Sequence, residues 1–205
     1  MINLIKLKEI LNTPLPGVNA HRLMAPSSRQ MELNNVSQHS PKMSSVLLLL
    51  YQKQNIWYIP FIQRPIYNGF HSGQVSLPGG KNEKGDSSHL FTALRETREE
   101  IGVNPENINI IGNLTPLYIP KSNYNVFPFV GTLDTPPHFV ADPKEVDDII
   151  EVPLNNFLNH QSVKTFTYKR GNHTFSAPYY DAHGKKIWGA TAMIIREFIE
   201  LIKKI

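Results

Sequence analysis

The chain has 205 residues, of which 40% are hydrophobic and 19% charged, with 21 Lys and Arg against 17 Asp and Glu. This is an ordinary globular composition that excludes disordered and fibrous classes, and the length suits one domain able to bury roughly 70% of its unfolded surface. The absence of cysteine excludes disulfides, zinc–thiolate sites and a cysteine nucleophile, and it fits a reducing, cytoplasmic setting.

In chain order, residues 3–12 read as an amphipathic helix ending before Pro14, and the N-terminus offers no signal-peptide cleavage site. Residues 14–42 are rich in Pro, Ser, Asn and Gln and read as an irregular surface arm. Residues 45–51 and 56–63 are strand candidates joined by the polar turn Gln52-Lys53-Gln54-Asn55, hence a hairpin. The longest apolar run, residues 46–51, falls far short of the ~20 residues a membrane span needs. A loop through Tyr67, Asn68 and Gly69 leads to a short strand at 74–77, which Pro78-Gly79-Gly80 stops. Beyond a central helix, strands are expected near 108–118 and 126–133. A Pro-rich acidic loop at 134–147 precedes a strand at 149–152, a helical turn at 153–159 and a hairpin around Arg170-Gly171-Asn172. Residues 190–203 close the chain as a helix with Ala190, Met193, Ile194, Phe198 and Leu201 on one side. This order predicts an α/β fold, an α/β/α sandwich with a mixed sheet, as a single domain over 1–205 whose first 42 residues are a helix plus an arm.

The central helix carries the chemistry. It contains Arg95-Glu96-Thr97-Arg98-Glu99-Glu100-Ile101-Gly102-Val103. With Glu96 at zero, Glu100 lies near 40° and Glu99 near 300°, whereas Leu90, Leu94, Thr97 and Ile101 fall between about 100° and 160°. One face packs and another gathers negative charge. Like charges at this spacing destabilise a helix by a few tenths of a kcal/mol, and a hard divalent cation reverses the sign of the interaction. Gly79-Gly80 before the helix and Gly102 in a C′ position after it delimit a loop–helix–loop unit.

This unit resembles the Nudix box, a glycine and a glutamate followed by REUxEExGU with U apolar. Gly80, Arg95, Glu96, Glu99, Glu100, Gly102 and Val103 match, and Thr97 stands at an apolar position. Where the family has its first glutamate stands Asp86, one residue further from Arg95, and Asp86 or Ser87 reads instead as a helix N-cap. The resemblance implies hydrolysis of nucleoside diphosphates linked to another moiety, with Mg²⁺ or Mn²⁺ on Glu96, Glu99, Glu100 and the Gly80 carbonyl. Arg95 is expected to pair with a box glutamate and fix its rotamer. The base is expected to be a box glutamate such as Glu99 or an acid from a later loop, with Glu145 the candidate and Asp142, Asp147 and Asp148 its competitors.

The segment from Arg64 to Gly80 is similar to the signature of the coenzyme A diphosphatase branch. Gly73, Pro78, Gly79 and Gly80 match in spacing, Leu77 replaces Phe, and Gly69 stands where that branch has an arginine. Residues 114–122 and 188–194 also look like that branch. This implies cleavage of coenzyme A or an acyl derivative to adenosine 3′,5′-bisphosphate and 4′-phosphopantetheine. Arg64, Gly73, Gln74 and Lys121 become substrate-binding candidates, and Lys53, Arg64 or Lys121 would hold the 3′-phosphate. ADP-ribose or nucleotide-sugar diphosphatases and a non-catalytic nucleotide-binding domain are the alternatives. The substrate is thus a small-molecule diphosphate, with no membrane partner and a homodimer left open. The net charge of +4 comes without a Lys/Arg run longer than two, which argues against nucleic acid as the main partner.

Overall fold

The architecture follows from a strand with no polar face. In the computed structural model, which describes residues 2–29, 40–67 and 71–205, β1 runs Lys42–Lys53. Its side chains alternate between two cores, Leu48 and Leu50 on one side and Leu47, Leu49 and Tyr51 on the other. A strand apolar on both faces must lie between two layers. β1 forms the hairpin with β2 (Ile56–Gln63), and Gln54 and Asn55 take φ of 54° and 63° at its turn. Two consecutive left-handed residues give a tight turn that matches strand twist.

On its other edge β1 pairs in parallel with β7 (Tyr124–Thr132), which in turn pairs antiparallel with β5 (Asn109–Asn113) and β6 (Leu117–Ile119). β2 pairs antiparallel with β3 (Val75–Ser76) and β8 (Asp148–Pro153). The sheet is therefore mixed, as the sequence led us to expect. The helix α3 (His89–Ile101) covers one face through Ala93 and Ile101. On the other face α1 (Leu4–Leu11) and α5 (Gly189–Ile202) pack through Leu7, Leu11, Phe198 and Leu201. The α/β/α sandwich expectation holds. Among the described residues, no helix is long and apolar enough to cross a membrane.

Several expectations need correction. Gly79-Gly80 does not simply end a strand. Residues Gly79–Lys81 form β4, which pairs with the free edge of β1 at Ser44, Ser45 and Val46. Residues 108–118 are not one strand, because Thr115-Pro116 separates β5 from β6. The arm is not merely irregular. It contains α2 (Val18–Arg22), whose Ala20 and His21 are buried, and only residues 30–39 of it lie outside the described residues. A short α4 (Asn155–Leu158) lies where the helical turn was expected. The second hairpin, β9 (Val163–Arg170) and β10 (His173–Ala182), gains a third strand, β11 (Lys185–Trp188), that the sequence reading missed.

Candidate active site

Two carboxylates of the site come from α3. Glu96 and Glu100, one turn apart, are 8% and 1% exposed, so these two members of the acidic face look inward and not into solvent. It faces β4, which passes so near that a Cβ on Gly80 would overlap the Glu96 carboxylate. A Cβ on Gly79 would overlap the Ser45 carbonyl, and Gly79 has φ of 147°, a region open to glycine alone. The Gly79 N–H donates to Glu100 Oε2 at 2.7 Å. Close approach of backbone and acid is thus built into the glycine pair.

The third carboxylate arrives from 45 residues downstream of Glu100. The last turn of a helix leaves carbonyls without intrahelical partners. Loop 134–147 takes up two of them: Val140 N–H donates to Ile101 O at 3.1 Å and Asp142 N–H to Glu100 O at 3.2 Å. Buried Val146 anchors the loop in the core under α3, and Asp147 N–H donates to Gln63 O at 2.8 Å. Between these anchors Glu145 is delivered to the helix, where Glu96, Glu100 and Glu145 offer oxygens within 4.8 Å of one another. The competing loop acids do not join this group. Asp142 accepts from Lys144 N–H at 2.9 Å, and Asp148 pairs with Lys185 at 2.6 Å.

Glu99 lies outside the group. Its half-exposed carboxylate pairs with Arg95 Nη1 at 2.7 Å. Arg95 also reaches Glu96 Oε1 at 3.0 Å and the Lys81 carbonyl at 3.2 Å. Its other partner corrects the expected cap. Ser88, not Asp86 or Ser87, caps α3, its Oγ accepting from Phe91 N–H at 3.1 Å. Asp86 instead accepts from Arg95 Nε at 2.9 Å and Nη2 at 3.1 Å, and from the Thr92 hydroxyl at 2.8 Å. The Arg95 hydrogen bonds hold the Asp86 carboxyl well below the usual carboxylate range. Arg95 therefore fixes two box glutamates while being fixed itself.

The repulsion within the trio is only partly relieved. Burial pushes Glu100 up to about 8, with Glu96 and Glu145 adding to the rise. Arg64, whose Nη2 is 3.7 Å from Glu100 Oε1, and the Gly79 N–H pull against it. Glu96 is also raised, mainly by burial, against the pull of Arg95. Three hard oxygen donors that repel one another suit Mg²⁺ or Mn²⁺. Glu96, Glu100 and Glu145 could hold such an ion.

Beside the carboxylates opens a cleft of about 620 Å³. Arg64, His71, Gln74 and Lys121 line it, so three of the four substrate-binding candidates meet there. Gln74 Oε1 pairs with His71 Nδ1 at 2.9 Å. Gly73 shapes the turn beneath, with φ of 64° and its N–H donating to Pro65 O at 3.1 Å. Lys53 is not brought to the cleft, since it sits at the β1–β2 turn and pairs with Glu151 at 3.5 Å. Gly69 lies outside the described residues. The sequence reading missed the roles of Ser28, Arg29 and Tyr168 on the cleft wall, which only the tertiary fold assembles.

It also missed Glu197, which is fully buried on α5. Glu197 accepts from Gly17 N–H at 3.0 Å and the Thr115 hydroxyl at 2.6 Å through Oε1, and from Thr115 N–H at 3.2 Å through Oε2. His21 Nε2 lies 3.0 Å from the same Oε2. Burial alone would raise this carboxyl, but the bonds from His21, Thr115 and Gly17 carry it below its ordinary range. The signal was available: Glu197 falls within the apolar stripe of the last helix, where an acid must find buried partners.

Residues 41–170 match the family model described as NUDIX domain, and the chain belongs to that family. Among curated proteins it is 34% identical over 134 residues to the "Uncharacterized Nudix hydrolase NudL" of Yersinia pestis (strain Pestoides F) and of Yersinia pseudotuberculosis serotype O:1b. That match covers 64% of this chain and 66% of the relatives' own length. Among solved structures, the MutT/nudix family protein from Enterococcus faecalis is similar with a TM-score of 0.55 at 15% identity, over 86% of this chain and 68% of that one. The MutT protein from Methanosarcina mazei Go1 is similar with a TM-score of 0.52 at 18% identity, over 82% and 97%. These structural likenesses concern the fold.

Proposed function

We propose that the protein is a divalent-metal-dependent diphosphatase that cleaves coenzyme A or an acyl derivative to adenosine 3′,5′-bisphosphate and (acyl-)4′-phosphopantetheine, acting as one unit over residues 1–205. The observation that carries the hydrolase reading is the convergence of Glu96, Glu100 and Glu145 beside the cleft. A cation held by Glu96, Glu100 and Glu145 would supply phosphate neutralisation and a lowered pKa for an attacking water. Every other contribution belongs to the chain. Arg95, held by Asp86, orients Glu96 and Glu99. Gly79 and Gly80 let backbone approach the acids. Either Glu145 or Glu99 takes the proton of the attacking water, and the place of Glu145 beside two buried carboxylates favours it. Phosphoryl transfer asks a protein mainly for such positioning and charge stabilisation.

Support for coenzyme A comes from the Arg64–Gly80 segment and from the cations Arg64 and Lys121 on the cleft, where the extra 3′-phosphate would be felt. Gly69 in place of the branch arginine favours a second reading, an ADP-ribose or nucleotide-sugar diphosphatase. A cytoplasmic location accords with the lack of cysteine. Incubation with coenzyme A, 3′-dephospho-coenzyme A, ADP-ribose and dinucleoside polyphosphates in Mg²⁺ or Mn²⁺, with products resolved chromatographically, is the test. A cation on the 3′-phosphate contributes about 1.5–3 kcal/mol, so coenzyme A should exceed the dephospho form roughly tenfold or more in kcat/KM. Equal rates, or faster cleavage of ADP-ribose, overturn the coenzyme A reading.

A further inference from the structure

Part of the cleft is built by residues outside the stretch that matches the family model. Pro26 and Ser28 precede that stretch, whereas Trp188, Ala190 and Ile194 follow it. These parts are laced together. Ser28 Oγ and the Tyr168 hydroxyl lie 2.9 Å apart, Ser27 N–H donates to Ser176 O at 2.9 Å, and Ser176 N–H donates to Ser27 Oγ at 3.0 Å. Arg29 Nη2 donates to the Tyr118 carbonyl. The arm is thereby fixed to β9 and β10 as one wall.

Rings set the character of this wall. Trp188 packs edge-on to Phe166, with centroids 5.3 Å apart and planes at 88°, and it tilts 52° to Tyr168 at 5.5 Å. Among the described residues these rings contact one another tilted or edge-on, not in parallel. The same cleft is lined by the aliphatic side chains Leu77, Ile119, Val126 and Ile194. Such a surface rewards a thin, flexible, apolar group more than a flat one, because it removes apolar area from water without asking for plate-like contact.

We infer that Trp188 and Tyr168, backed by Ile194, form a specificity wall for an unbranched apolar chain carried on the diphosphate. This rests on the diphosphatase reading of the site but not on coenzyme A being the substrate.

The test is equilibrium binding, by calorimetry in Mg²⁺, of adenosine α,β-methylene-diphosphates esterified on the β-phosphate with methyl, butyl or octyl groups. These compounds resist hydrolysis and lack pantetheine. Affinity should rise about fourfold per added methylene until the wall is filled. Trp188→Ser should flatten that dependence. Ala190→Phe, which keeps the wall apolar but fills its space, should stop the gain at a shorter chain, and it covers the case in which the serine variant misfolds. A flat series in the unaltered protein, or the same slope in both variants as in the unaltered protein, overturns the inference. If the alkyl series behaves as expected but coenzyme A is not cleaved, the proposed substrate falls and the wall stands; cleavage of coenzyme A with a flat alkyl series is the converse.

Discussion

Gly80 and Glu96 are in such close approach that the glycine has no room for a side chain on the face it turns to the carboxylate. The relationship reaches across three elements: β1 holds β4 at Ser45, β4 presents Gly80, and α3 presents Glu96. Gly80→Ala must push either the strand or the acid aside, and displacement of about 1 Å in a catalytic constellation costs on the order of 10²-fold. The expected outcome is a fall in kcat of that order with far-ultraviolet circular dichroism unchanged. A loss under threefold would show that Glu96 need not hold this position.

The division between Glu145 and Glu99 is open to direct measurement. Glu145 joins the two buried carboxylates, while Glu99 is held on Arg95 and half exposed. Glu145→Gln should lower kcat by about 10² or more, the usual magnitude of lost general-base help, and Glu100→Gln should be at least as severe. Glu99→Gln should be milder than either in a Mn²⁺ titration read by turnover. The reverse order assigns the base to Glu99.

Asp86 is expected to act through Arg95. Outer partners of metal-site residues typically contribute 10–100-fold in affinity or activity. Asp86→Ala should therefore weaken the apparent Mn²⁺ dependence within that range, although the helix keeps its Ser88 cap. Asp86→Glu should recover part of the loss, which a defect in helix initiation would not predict.

The raised carboxyls make a stability prediction. Glu100 titrates at about 8 in the folded, metal-free chain against an ordinary 4.5, so the folded state holds a proton that the unfolded state has released. Its stabilising contribution is fully present below about pH 4.5 and is lost as pH rises through about 8. In chelator, urea midpoints should fall between those limits. Mg²⁺ should restore them at pH 8, and Glu100→Gln should flatten the metal-free profile. A profile that is flat in the unaltered protein would mean that Glu100 stays charged.

Removing Glu197 leaves four partner groups without their acceptor: the Gly17 and Thr115 amides, the Thr115 hydroxyl and His21. Breaking a buried pair in this manner costs about 3–5 kcal/mol. Urea unfolding of Glu197→Ala should show a loss of that order, against less than 1 kcal/mol for an exposed acid such as Glu106. A small loss would show that water replaces the carboxylate.

How much of this was legible depended on whether a residue acts locally. The α3 unit was readable because Gly102, in the left-handed region at φ 74°, and the acids at i, i+3 and i+4 are local signals. The β1–β2 hairpin was readable for the same reason. β4 was not, since Gly79 and Gly80 have no strand propensity and pair only because β1 offers a free edge. The direction of the acidic face was legible but its burial was not, because that depends on β4. Glu145 could be named as a candidate, but choosing it over Asp142 required the bonds that tie loop 134–147 to the end of α3. The arm was misread as a surface wrap because its polar composition conceals Ala20, His21, Met24 and Ala25, all buried.

The bond between Gly17 and Glu197 joins positions 180 apart, and that from His21 spans 176. During synthesis the arm must therefore wait for nearly the whole chain to leave the ribosome before its anchor exists. At about 5–20 residues per second, that interval is on the order of ten to forty seconds. The acidic trio is complete in sequence by residue 145, but β1 needs α5 to cover its second face, and α5 ends at Ile202. The arm's anchor, the helix that carries it and the cover of the sheet's second face would therefore be acquired together, at the end of synthesis.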